Sequence, residues 1–183
     1  MIITKFKIFI TSFCFVSFSL NISAQEVENA KVSVKDDTLY IVPKVSSADL
    51  SLIIPPNGFV PTEKFNGYLY TQASAAIIMT LIEDANYIKI CEGMTDEHFA
   101  KNKLTKISNN KFISDNKVKG HIYKCSFVTD GIDFIRIIVF AGDLTKTLCL
   151  TITYPTKFEE LLGEEIHNSI RSISLYPKKN EAK

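Results

Sequence analysis

An α+β domain built on a central antiparallel sheet is what this sequence predicts, on three observations. Apolar runs at residues 121–128, 134–140 and 148–154 are separated by Thr129-Asp130-Gly131 and Ala141-Gly142-Asp143, turn-like breaks that suit a meander of three antiparallel strands. The second run, Phe134-Ile135-Arg136-Ile137-Ile138-Val139-Phe140, is apolar at nearly every position instead of alternating, so both faces of a central strand must be covered. Finally, Phe158, Leu161, Leu162, Glu165, Ile166, Ser169 and Ile170 fall on one helical stripe, which describes an amphipathic C-terminal helix that has to bury that stripe against a sheet.

The elements follow in chain order. Lys5 and Lys7 precede an apolar run at residues 8–20, and Asn21-Ile22-Ser23-Ala24 ends it with small residues. This is the pattern of an export signal cleaved near Ala24, favoured over the alternative of an uncleaved membrane anchor because a membrane span needs about 20 apolar residues and this run has 13. Cys14 leaves with the signal and has no lipoprotein-type Leu, Ala and Gly pattern before it. Residues 25–48 then read as an N-terminal extension, in which residues 32–34 and 39–42 flank Lys35-Asp36-Asp37-Thr38 as a hairpin. Residues 50–54 read as a strand stopped by Pro55-Pro56-Asn57-Gly58. Strands are expected at 68–71 and 76–82, with Gln72-Ala73-Ser74 between them, while residues 86–91 fit strand or helix. Thr95 can cap a short helix to about Lys101, since Asp96 and Glu97 then occupy the first turn, where the helix dipole favours negative charge. After Pro155, Thr156 and Glu159 have capping-box spacing, and residues 172–175 read as a short closing strand before a polar tail at 177–183.

This order of elements resembles the PsbP-like fold, over about residues 50–175. The pieces that carry the resemblance are Ile53-Ile54-Pro55-Pro56-Asn57-Gly58-Phe59, Gly67 before Ile77-Ile78-Met79, Gly120 ahead of a strand, and the run from Gly131 through Phe134-Ile135-Arg136 to Ala141-Gly142-Asp143. The strand ending Thr153-Tyr154-Pro155 and the terminal helix complete it. The resemblance implies a PsbP-like domain at residues 49–176, an α/β/α sandwich with helices on both sheet faces, and a loop or helix at 86–93. It implies accessory and binding roles and carries no catalytic motif.

Composition narrows the function classes. Without residues 1–24 the chain has 159 residues, one domain's worth, with 19 basic residues against 20 acidic. Only Arg136 and Arg171 are arginines, so planar recognition of phosphate or carboxylate has few candidates, and export argues against nucleic acid as a partner. Cys91, Cys125 and Cys149 are odd in number and lack C-x-x-C spacing, which disfavours a zinc or redox motif. Three free or buried thiols are favoured over one disulfide, whose pair the spacing does not select. No G-x-S-x-G, GxGxxG, phosphate loop or H-E-x-x-H appears, and no cofactor motif.

Four groups remain as site candidates. His98, His121 and His167 are the only histidines, none at i, i+4 from another; His98 beside Asp96 and Glu97 could ligate a metal, or simply be a solvated residue at a helix start. Asp130, Asp133 and Asp143 could converge on a calcium ion or be ordinary turn aspartates. Glu159, Glu160, Glu164 and Glu165 read as the wet face of the last helix, with paired catalytic carboxylates as the alternative. The clearest asymmetry is basic: between residues 101 and 124 seven lysines face the single acid Asp115. Lys101, Lys103, Lys106, Lys111, Lys117 and Lys119 are therefore the expected binding face for an anionic envelope ligand such as a polysaccharide or a phospholipid headgroup, against the alternative of a solvated loop. The leading expectation is an exported, non-catalytic accessory or binding protein, periplasmic or extracellular, without a membrane span after cleavage. The alternatives are a metal-dependent enzyme using His98 or the turn aspartates, and a structural envelope protein docking onto a protein partner.

Overall fold

The computed structural model describes residues 44–177 and, as backbone, residues 33–35 and 38–40. The expected export segment and the tail beyond Pro177 lie outside the described residues. Strands β1 (Ser33–Lys35) and β2 (Thr38–Tyr40) pair antiparallel as a separate two-stranded sheet.

The domain is organised on one eight-stranded antiparallel sheet. In chain order it has β3 (Lys44–Ser47), β4 (Val60–Pro61), β5 (Gly67–Tyr70), β6 (Ala75–Glu83), the helices α1 (Tyr87–Glu92) and α2 (Asp96–Lys101), then β7 (Thr105–Ile113), β8 (Lys119–Thr129), β9 (Ile132–Gly142), β10 (Lys146–Pro155) and α3 (Glu159–Arg171). Across the sheet the order is β4-β5-β6-β10-β9-β8-β7, with β3 also pairing β6. The meander β8-β9-β10 sits near the middle, and its first hairpin turns on Asp130 (φ 51°) and Gly131 (φ 74°). Two successive left-handed residues match the right-handed twist of the strands, which is why an Asp-Gly pair suits this turn.

Alternation along the strands divides the core in two. One face carries Ile77, Met79, Ile135, Ile137, Val139, Leu148, Leu150, Ile152 and Tyr154, and α3 covers it with Leu162, Ile166 and Ile170. The opposite face carries Tyr123, Cys125, Ile138 and Phe140, packed with Met94, Phe99 and Leu104 from the segment of α1 and α2. Helices on both faces therefore follow from a β9 that is buried on both sides, as its apolar run requires. Thr95 caps α2 as its spacing predicts, its Oγ1 accepting from the His98 amide at 3.2 Å.

Several local expectations are corrected. Residues 50–54 form no strand; Leu50–Leu52 is a 3-10 turn, because the Asp49 carboxylate accepts from the Ser51 amide at 2.8 Å and closes a local loop before the prolines. Thr156 makes no capping hydrogen bond: residues Thr156–Phe158 form a 3-10 turn, and Glu159 points away from the backbone to the Tyr154 hydroxyl and the Lys124 ammonium. On the α3 stripe Leu161 lies exposed, so the buried arc is narrower than the sequence pattern. Residues 172–175 are not a strand; the segment instead donates the Ser174 amide to the Leu52 carbonyl at 2.8 Å. The lysine-rich region holds a strand the sequence pattern did not mark, β7, a nine-residue edge with a bulge between Lys106 and Ser108.

Candidate ligand-binding end of the sheet

The six lysines separate into two groups. Around α2, Lys101 in its last turn pairs with Glu97 at 2.9 Å, Lys106 of β7 pairs with Asp96 at its start, and Lys103 lies just beyond the helix at φ 56°. Lys111, Lys117 and Lys119 belong to the β7-β8 hairpin. None of these three has a carboxylate within ion-pair distance among the described residues, and the acid between them, Asp115, is held by Arg171 at 3.0 Å. Lys117 sits in the hairpin turn at φ 64°.

That turn is clamped to the chain leaving α3. The Ser114 hydroxyl, buried, donates to the Ile173 carbonyl at 2.8 Å and accepts from the Val118 amide at 3.1 Å. Asn116 donates to the Ser172 and Ile173 carbonyls, and the Asp115 amide donates to the Arg171 carbonyl at 2.8 Å. On the other side, the Thr147 hydroxyl donates to the Ala85 carbonyl at 2.9 Å and the Tyr87 amide to the Asp143 carbonyl at 3.3 Å, tying the start of α1 to the β9-β10 turn. Four separate stretches of chain thus meet at one end of the sheet.

Between them lies an open depression of about 400 Å³, lined by Tyr87, Ile88, Lys117, Val118, Lys119, Gly142, Asp143, Leu144 and Leu175. Its lining is mainly apolar, and two of the lysines nominated by the sequence are part of it. Asp143 is the one carboxylate there; hydrogen bonds from the Thr145 and Lys146 amides and the Thr145 hydroxyl to its Oδ1 fold it into the turn and hold it below the usual carboxylate range. Lys146 adds a nearby cation, its Nζ 5.6 Å from the centre of the Tyr176 ring. The apolar lining had no signature beyond Leu144, a large apolar residue inside a Gly-Asp-Leu-Thr turn.

The other candidates are not brought together. Asp133 and Asp143 bracket β9, and ten residues of extended strand separate them by roughly 33 Å, so the turn aspartates do not converge. Glu159 is committed to Tyr154 and Lys124, Glu165 accepts from Asn57 at 3.2 Å, and Glu160 and Glu164 are exposed. His98 contacts the Phe99 ring edge and lies 3.4 Å from the Asn102 amide nitrogen. His121 stacks on Tyr123 and bonds Asn109; burial, then Lys111, pushes its pKa down. His167 is exposed on α3. Among the described residues no three His, Cys, Asp or Glu side chains group as metal ligands. Cys91, Cys125 and Cys149 are free and gather at the second core cluster. Burial pushes the Cys125 thiol up to about 11.

The eight-stranded antiparallel sheet with helices on both faces and a closing C-terminal helix is a PsbP-like fold. Among solved structures the chain is similar to cyanobacterial PsbP (CyanoP) from Synechocystis sp. PCC 6803, at 8% identity over 79% of this chain and 98% of that one, with a TM-score of 0.50. It is also similar to LpqN of Mycobacterium tuberculosis, a protein involved in cell envelope biogenesis, at 9% identity over 70% and 80% of the two chains and a TM-score of 0.50. A Pseudomonas aeruginosa protein of unknown function aligns at 8% identity over 82% of this chain and 100% of its own, with a TM-score of 0.45. No family model and no curated protein matches the chain. At such identities the likeness is one of fold. No described helix is long and apolar enough to cross a membrane.

Proposed function

We propose that this chain is an exported, non-catalytic accessory protein that binds an anionic ligand of the cell envelope at the β7-β8 end of its sheet. The observation that carries this reading is the trio Lys111, Lys117 and Lys119, which share one hairpin without a carboxylate partner among the described residues while their neighbouring acid is held by Arg171. Positive charge that no internal partner neutralises attracts an anion. Lys101 and Lys106, already paired, contribute less than their sequence position suggests. The signal-like residues 1–24 support export, and the PsbP-like architecture supports an accessory role by analogy of fold.

The test is binding of the purified protein to dextran sulfate and to phosphatidylglycerol vesicles. Lysines near an anionic surface contribute about 1 kcal/mol each, so replacing Lys111 and Lys119 by Glu and Lys117 by Gly should weaken binding roughly 100-fold or more. Lys101→Glu should change it little. Unchanged affinity in the triple variant, or no binding by the wild-type protein, defeats the proposal.

A further inference from the structure

We infer that the depression beside Lys117 and Lys119 seats one acyl chain of an anionic lipid monomer, with the chain against Ile88, Val118, Leu144 and Leu175 and the headgroup on the two lysines. The inference rests on the anion-binding reading above and names the ligand class.

Size, surface and charge point the same way. A volume of about 400 Å³ falls within the roughly 300–1,000 Å³ of small-molecule sites. Ile88 is 46% exposed and Leu144 69%, and they come from α1 and the β9-β10 turn. Exposed apolar residues scattered singly need no explanation, but here two stretches distant in the chain place theirs around one depression, which marks a binding surface. A small hydrophilic anion would satisfy the lysines and leave that apolar lining wet; a neutral hydrocarbon would cover the lining and leave the lysines unused. A molecule with an apolar chain and an anionic head uses both. A second copy of this chain is a poorer occupant, because two such ends would bring Lys117, Lys119 and Lys146 of each molecule together. The clamps through Ser114, Asn116 and Thr147 hold the walls in place before any ligand arrives, so little ordering cost falls on binding.

The experiment is titration of the purified protein with palmitoyl lysophosphatidylglycerol below its micelle concentration, read by calorimetry and by native mass spectrometry. Glycerol 3-phosphate serves as the head without the chain, and palmitoyl lysophosphatidylcholine as the chain without net charge. One-to-one binding of the anionic lipid is expected, with each control weaker by about tenfold or more. Leu144→Glu and Lys117→Gly should each weaken it by a similar factor. Both variants should fold, since Leu144 is exposed and Lys117 occupies a left-handed conformation that glycine favours; circular dichroism verifies this. Glycerol 3-phosphate binding as tightly as the lipid, or unchanged affinity in Leu144→Glu, overturns the inference and leaves the anion-binding function standing. Binding only to phosphatidylglycerol vesicles, with no monomer complex, also overturns it in favour of bilayer docking. Loss of vesicle and dextran sulfate binding as well removes both readings.

Discussion

Replacing Ser114 by Ala removes the hydroxyl that joins the β7-β8 turn to the chain leaving α3, and its cost can be worked from the partners left behind. Ser114 is 2% exposed, so water does not take over its role. The Val118 amide loses its 3.1 Å acceptor, while the Ile173 carbonyl loses a 2.8 Å donor but keeps Asn116 at 3.1 Å. An orphaned buried group costs about 1–3 kcal/mol and a lost hydrogen bond with a remaining partner about 1 kcal/mol, so Ser114→Ala should destabilise by about 2–4 kcal/mol. For a domain of this size each kcal/mol lowers the melting temperature by roughly 2–4 °C. Because Asn116 is the second donor to the same carbonyl, Ser114→Ala and Asn116→Ala together should cost more than the sum of the singles, by roughly 0.5 kcal/mol or more. Urea unfolding followed by far-UV circular dichroism is the assay, as the chain contains no tryptophan. A single variant within about 0.5 kcal/mol of wild type, or a strictly additive double variant, would refute the two-donor clamp.

Two further outcomes follow from the same geometry. A Cβ on Gly142 would overlap the Lys146 carbonyl oxygen and lie 3.0 Å from the Thr147 Cα; these are backbone atoms of the β9-β10 ladder, so Gly142→Ala should cost about 3 kcal/mol or more, measurable as a fall in melting temperature or soluble yield. The buried Cys125 thiol, pushed up to about 11 from an ordinary value of 9.0, keeps its proton in the folded chain after the unfolded chain has lost it. The unfolded state then binds fewer protons, so this contribution is complete below about pH 9 and is lost as pH rises toward 11, with a slope of at most about 1.4 kcal/mol per pH unit. Cys125→Ala should flatten the alkaline fall in urea midpoint relative to wild type; identical slopes would contradict the assignment.

What was legible in the sequence was whatever depends on near neighbours or on strong periodicity. Phe134–Phe140 announced a doubly covered strand because burial on both faces leaves no polar parity to read, and the Thr95 cap and the Asp130-Gly131 turn are local chemistry. Leu50–Leu52 misled because an apolar run carries no record of the Asp49 carboxylate that curls it. The edge strand β7 escaped because Lys106, Asn109 and Lys111 occupy the parity that would be apolar in an interior strand. Of the candidate site, the lysines were visible as a charge excess, but not which of them Asp96 and Glu97 had already paired, nor that Arg171 had taken Asp115 from the rest. The apolar floor was invisible because Ile88, Val118, Leu144 and Leu175 lie far apart in the chain and meet only through loops.

The bulged, lysine-bearing edge at β7 has a colloidal consequence as well. A nine-residue strand with one side unpaired by the sheet is a template for another molecule's strand, and the bulge at Lys106–Ser108 together with the charge of Lys106 and Lys111 makes that zipping unfavourable. Any substitution that merely neutralises Lys111 therefore weakens a guard against self-association while it probes recognition, and lost binding could then be mistaken for lost monomer. Reversing the charge keeps a charged side chain on the edge, so Lys111→Glu is the variant that best separates recognition from aggregation there.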